Sequence, residues 1–170
     1  MKRREKPEVF PVVDDDGNET GLAPRHICHD GKSKLLHPVV HLHLFDKHGN
    51  LYLQRRSDNK DLLPGKWDTS VGGHINPGEK VEDALKREAA EELKLEKFEF
   101  EFIKKYIWES ETERELVYSF KGRSEQIPEP DREEVSDGRF WTPAEIRRVM
   151  GSGILTPNFE HEYTMLFIIH

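Results

Sequence analysis

Hydrophobic and polar positions along the chain fall into short alternating runs broken by turn residues, with one long helical segment in the middle. Residues 9–13 (VFPVV) are apolar, the acidic stretch 14–18 turns the chain, and 20–22 bring it back, which predicts a hairpin. Residues 39–45 (VVHLHLF) predict the clearest strand, with Val39, His41, His43 and Phe45 on one face. A turn over 46–50 leads into a strand at 51–55, and 57–66 read as a polar loop containing Pro64-Gly65. Residues 67–71 then run into a turn at Gly72-Gly73. Further on, 98–108 and 116–121 are strand-like, and 126–138 read as an acidic, proline-containing loop. Phe140-Trp141 end a last strand before a helix that Thr142 caps and Pro143 opens. An amphipathic helix is predicted over 158–169, and the chain has no internal repeat.

The segment 81–95 is rich in Ala, Leu, Glu, Lys and Arg, all good helix formers. On a helix, Val81, Leu85, Glu88, Glu92 and Leu95 share one stripe. Its apolar members point it at the core, yet two carboxylates stand in its middle with Glu91 beside them. Carboxylates within one turn repel each other, and partial burial is costly unless they are paired or bind a metal. A solvated, salt-bridged helix, with Glu79, Glu82 and Asp83 facing Lys86 and Arg87, would not put Glu88 and Glu92 on that stripe. The economical explanation is a divalent cation.

Composition narrows the field. A chain of 170 residues, 35% hydrophobic and 35% charged, suits one domain with a sizeable core. The net charge of -7 argues against a general nucleic-acid-binding surface and requires local cations or metal for an anionic substrate. Cys28 is the only cysteine, so no intramolecular disulfide is possible and a cytoplasmic setting is the default expectation. The basic start MKRREKPEVF is followed by no apolar run, so neither a signal peptide nor a membrane span is expected.

The spacing within the central segment is more specific than its composition. Gly73, Glu79, Arg87, Glu88, Glu91 and Glu92 spell G-x5-E-x7-R-E-x-x-E-E, which resembles the Nudix box of the Nudix hydrolase superfamily. Ala89-Ala90 and Leu95 also fit that pattern, but Lys94 stands where a glycine is usual, which questions the geometry of the helix end. The resemblance implies an α/β (α+β) Nudix fold, an α/β/α sandwich around a mixed sheet with one central motif helix. It would form one domain over 1–170, with 1–36 as an N-terminal hairpin extension and 37–170 as the core.

The resemblance further implies metal-assisted cleavage of a diphosphate linkage in a small organic diphosphate. Mg2+ or Mn2+ would be held by Glu88, Glu91, Glu92 and the carbonyl of Gly73. Arg87 would orient the glutamates, and Glu79 would support the loop before the helix. The general base in such proteins often follows the box, and Glu133 or Glu134 is the candidate, the alternative being that both are solvated loop acids. Many relatives of this kind are homodimers.

A second constellation accompanies the first. His26, His29, His37, His41 and His43 precede the box and His74 follows Gly73 directly. Neutral imidazole binds Zn2+ or Mn2+ well, although any one of these taken alone is more ordinarily a surface or hydrogen-bonded core residue. As a set, His29, His37, His74, Glu113 and Glu115 resemble the metal ligands of type I isopentenyl diphosphate isomerases, a Nudix-fold branch, which implies a second divalent metal. The surrounding LHxxxxxLF, QRR and PGKWDTSVGGH segments share that likeness. Two features depart from it. Gly72 stands where the isomerase requires a cysteine, and the box glutamates of the hydrolase pattern are all kept.

Arg55, Arg56, Lys60 and Lys66 fall near the active edge, where they would meet a diphosphate or serve as paired surface cations. Trp67 and Trp108 would stack on a base, cover a prenyl chain, or fill the core. Three functions follow: a diphosphohydrolase, an isomerase-like protein, and a ligand-binding module without catalysis.

Overall fold

Strand pairing begins from the longest buried run in the chain. In a computed structural model that describes residues 9–60, 62–133 and 135–168, the elements in order are β1 (Val9–Val13), β2 (Glu19–Pro24), α1 (Arg25–Cys28), β3 (Leu36–Phe45), β4 (Leu51–Arg56), β5 (Trp67–Asp68), β6 (Val71–His74), α2 (Val81–Leu93), β7 (Glu99–Glu109), β8 (Arg114–Arg123), β9 (Val135–Trp141), α3 (Pro143–Val149) and α4 (Pro157–Phe167). Nine of the ten residues of β3 are buried. It pairs in parallel with β8 along its whole length, and on its other side first with β6 at 39–42 and then with β4 at Phe45. With β5, β7 and β9 these strands make a mixed, seven-stranded sheet, and β1 and β2 form a separate antiparallel hairpin.

The alternation of β3 divides the interior. Val40, Leu42 and Leu44 pack on one face against Ala84, Leu85, Ala89 and Leu93 of α2. On the opposite face His43 meets Phe159 and Phe167 of α4, and Leu51, Leu53 and Trp141 pack with Ile146 of α3 and Phe159 and Tyr163 of α4. Helices thus cover both faces, as a sheet with no wholly polar side requires. Thr142 closes a capping box with Glu145, and Pro143 occupies the first turn of α3. The hairpin docks through Phe10 and Ala23 onto Cys28, through Val13 onto Leu36 and Leu116, and by a 2.8 Å hydrogen bond from Gly78 N to Glu19.

Several boundaries differ from the sequence expectation. Gly72 and Gly73 lie within β6 and do not turn the chain; their value is the missing side chain, which at Gly73 lets α2 approach and at Gly72 leaves room beside His41. The segment read as a loop over 126–138 already enters β9 at Val135, and a Cβ at Gly138 would overlap the Tyr52 hydroxyl. Where a helix was predicted over 158–169, α4 runs over Pro157–Phe167, and Ile169 lies outside the described residues.

Lys94 adopts the left-handed conformation, φ 52°, that the usual glycine would take. Its N–H donates to Ala90 O and that of Leu95 to Ala89 O, and the reversal returns Leu95 to the core. A side chain in that region costs roughly 1–2 kcal/mol. Lys94→Gly is therefore expected to raise stability by about 1 kcal/mol, read as a higher urea midpoint; an unchanged or lower midpoint would show that Lys94 is not strained.

Candidate active site

Strand β6 passes so close to α2 that a Cβ on Gly73 would overlap the Glu88 carboxylate. One residue earlier, Gly72 N donates to Glu92 Oε2 at 3.1 Å, and the Glu92 side chain is buried. Arg87 fastens this contact. Its Nε and Nη2 donate to the two oxygens of Glu79, each at 2.9 Å. Its Nη1 reaches Glu88 Oε1 at 2.7 Å, and Nη2 also donates to the His74 carbonyl at 2.9 Å. Glu79 in turn accepts from Asn76 N, which fixes the loop before the helix. Burial opposes ionisation of Glu79, but the Arg87 fork outweighs it and holds the carboxyl below its usual value. Glu91 is the outermost of the three, about half exposed and 3.5 Å from Arg87. The arrangement gathers Glu88, Glu92 and the backbone of β6 at one edge, with Glu91 toward solvent, a hard-oxygen set suited to Mg2+ or Mn2+.

The second constellation assembles on the other face of the sheet. One ligand atom from each of His29, His37, His74 and Glu113 lies within 4.8 Å of the others. His29 Nε2 approaches Glu113 Oε2 to 2.8 Å and His37 Nε2 to 3.7 Å, yet neither is aligned as a hydrogen bond, and the Nε2 atoms of His29, His37 and His74 are all buried without a hydrogen-bond partner. Lone pairs converging on one point in this way match a divalent metal site. His37 Nδ1 lies 2.9 Å from the Leu35 carbonyl, which assigns the proton to Nδ1 and leaves Nε2 free to coordinate. Burial, together with the charges of His37 and Arg25, keeps His74 well below its ordinary value. Phe10 of the hairpin stacks on the His74 ring at 4.1 Å and 9°.

Glu115 stands opposite His37 in the β3–β8 register but is not one of the converging four. Burial, then the neighbouring Glu113, push it up to about 7. His41 and His43 belong to neither group: both bind the fully buried Glu162 of α4. His41 Nδ1 lies 3.1 Å from each Glu162 oxygen, His43 Nε2 lies 2.5 Å from Oε2, and Ser119 Oγ donates to Oε1 at 2.6 Å. Burial alone would depress His41; Glu162, with Glu115 and Asp68, reverses this and lifts it to about 9.

The cations expected at a diphosphate are engaged within the chain. Arg55 bonds Ser136 and Asp58, Arg56 bonds the Leu62 carbonyl and pairs with Asp68, and Lys66 donates to the Gly153 carbonyl. Trp67 stacks edge-on against Trp141 at 5.2 Å, and Trp108 lies against His161 at 5.2 Å. Glu133 is exposed in the loop before β9, and Glu134 lies outside the described residues. Sequence reasoning overlooked Glu162, although it breaks the apolar stripe of its helix between Phe159 and Tyr163 just as Glu88 breaks its own. It also overlooked Phe10, which no local pattern links to the histidines.

Residues 35–159 match the family model of the NUDIX domain. An isopentenyl-diphosphate Delta-isomerase of Mycolicibacterium vanbaalenii is 32% identical over 152 residues, covering 84% of this chain and 81% of the relative. A Nudix hydrolase of Listeria monocytogenes is 31% identical over 134 residues, 73% of this chain and 74% of its own. The crystal structure of DR0079 from Deinococcus radiodurans superposes with a TM-score of 0.80 at 23% identity, covering 95% of this chain and all of that one. Among the described residues no helix is long and apolar enough to cross a membrane.

Two outcomes are expected. His41 titrates near 6.5 when unfolded and about 9 when folded, so its contribution to stability is complete below pH 6.5 and fades as pH rises through 9. The urea midpoint should fall over that window in the wild type and fall less in His41→Gln; parallel curves would contradict the assignment. Arg87→Lys, which cannot reproduce the fork on Glu79, should cost about 2 kcal/mol in the same assay.

Proposed function

Because this chain belongs to the Nudix family, we propose that it is a metal-dependent hydrolase cleaving the diphosphate linkage of a nucleoside diphosphate derivative or a similar organic diphosphate. The observation that supports this reading is the edge where β6 meets α2: Glu88 lies against Gly73, Glu92 accepts from Gly72 N, and Arg87, anchored on Glu79, holds Glu88 and reaches Glu91. Mg2+ or Mn2+ bound there supplies charge neutralisation of the diphosphate and activation of the attacking water. Glu92 and Glu88 are the principal ligands, Glu91 reaches the outer side, and the Gly73 carbonyl completes the set. Arg87 keeps the carboxylates from turning away. The general base comes from the acidic segment before β9, Glu133 or Glu134. Arg55, Arg56, Lys66 and Trp67 fix the walls of the neighbouring loop and meet substrate only by exchanging their present partners.

An isomerase-like reading is favoured by one observation, the convergence of His29, His37, His74 and Glu113, and by the name of the Mycolicibacterium relative. Gly72 weighs against it, because proton transfer at carbon needs an acid or base at the reacting atom and glycine supplies none. Retention of the three glutamates likewise disfavours a binding module without catalysis.

A phosphate-release screen with Mg2+ and Mn2+, run on the wild type and Glu92→Gln with isopentenyl diphosphate in the panel, tests the proposal. Gln keeps an acceptor for Gly72 N, so the fold should survive while release falls by at least about a hundredfold. No release from any diphosphate, combined with double-bond migration in isopentenyl diphosphate seen by NMR, would replace the hydrolase reading with the isomerase one.

A further inference from the structure

His41, His43, Ser119 and Glu162 form a buried polar group that the proposed hydrolysis does not use. Burying an ion pair of this kind seldom adds stability over apolar packing, so its retention calls for another reason. The position of His41 offers one. It stands opposite Gly72 in the β3–β6 register and opposite Ser119 in the β3–β8 register. Its Nδ1 is committed to Glu162, while its far edge faces β6: a Cβ added at Gly72 would lie 3.4 Å from His41 Cδ2 and 3.7 Å from Nε2. Because residue 72 is glycine, nothing on β6 covers that edge, and the side chain keeps 11% exposure in an otherwise closed layer.

Gly72 is also the meeting point of the two candidate metal centres. Its N–H is held by Glu92, the buried member of the box, and two residues along the same strand His74 belongs to the histidine group. A ligand reaching from one centre to the other passes Gly72 and meets the His41 edge there. We propose that His41, held by Glu162, is a substrate-positioning residue that donates an Nε2 hydrogen bond to a phosphoryl oxygen of the diphosphate as it spans β6. The Glu162 carboxylate against Nδ1 favours the doubly protonated imidazole, which has a donor on each nitrogen. His43 shares Glu162 but turns toward Phe159 and Phe167, away from β6, and takes no part. This assignment rests on the diphosphate reading of the site, not on hydrolysis.

Isothermal titration with methylenediphosphonate in the presence of Mg2+ decides the matter, since this probe is not cleaved. His41→Ala should weaken its binding by about tenfold to a hundredfold, the usual range for losing a charge-assisted hydrogen bond. Gly72→Ala, whose methyl would sit in ordinary contact over the ring edge, should weaken it similarly, while His43→Gln should bind as the wild type does. Should His41→Ala not fold by circular dichroism, Gly72→Ala carries the test. Binding by the folded variants within about twofold of wild type, or no binding by the wild type, overturns the assignment. Loss of binding in both variants alongside an empty hydrolysis screen would sustain His41 and dismiss the hydrolase; hydrolysis with undiminished binding would do the reverse.

Discussion

The fork of Arg87 on Glu79 is the interaction on which the rest of the edge depends. Three carboxylates on one helical turn would spread apart if left alone, and a strand carrying two glycines would have little reason to settle against them. A single guanidinium resolves both problems, because its donors reach the loop through Glu79, the helix through Glu88 and the strand through the His74 carbonyl. A lysine could satisfy one of these but not hold three elements in one plane. The absence of a side chain at Gly73 is the complementary condition, for without that space the guanidinium would have nothing to bring together.

The sheet then separates two kinds of chemistry by the parity of a strand. Even-numbered residues of β3 contribute only hydrocarbon to the layer beneath α2, so the box glutamates emerge at its rim. Odd-numbered residues contribute His37, which meets Glu113 beneath the Phe10 hairpin, and His41 and His43, which meet Glu162 beneath α4. Period-two alternation thus keeps oxygen-rich and imidazole-rich groups on opposite sides of one strand, only a few residues apart. Gly72 and Gly73 on β6 are the place where the two sides come nearest.

Much of this was legible in the sequence, and the exceptions have physical causes. The box and its helix could be read because acids on an apolar stripe violate the helical pattern, and the cap at Thr142-Pro143 because capping chemistry is local. The turn expected at Gly72-Gly73 was misplaced because glycine signals freedom of φ and also absence of bulk, and here only the second mattered. Lys94 kept the geometry of a glycine since the packing of Leu95 dictates the reversal whatever residue makes it. The partner of His41 and His43 lay more than a hundred residues downstream, at Glu162, where only the folded sheet shows that the two helical and strand faces coincide. Phe10 over His74 is likewise a tertiary fact with no local signal.

The histidine group draws on the residue that ends α1, on β3, on β6 and on the turn between β7 and β8, with the hairpin laid across it through Phe10. An ion held there would fasten segments that are far apart along the chain, and no short unfolded stretch can imitate the site. Its occupancy would then be a term in the folding equilibrium itself. A cell poor in that ion would feel the loss first as a less securely seated N-terminal hairpin, before any change in the acidic edge across the sheet.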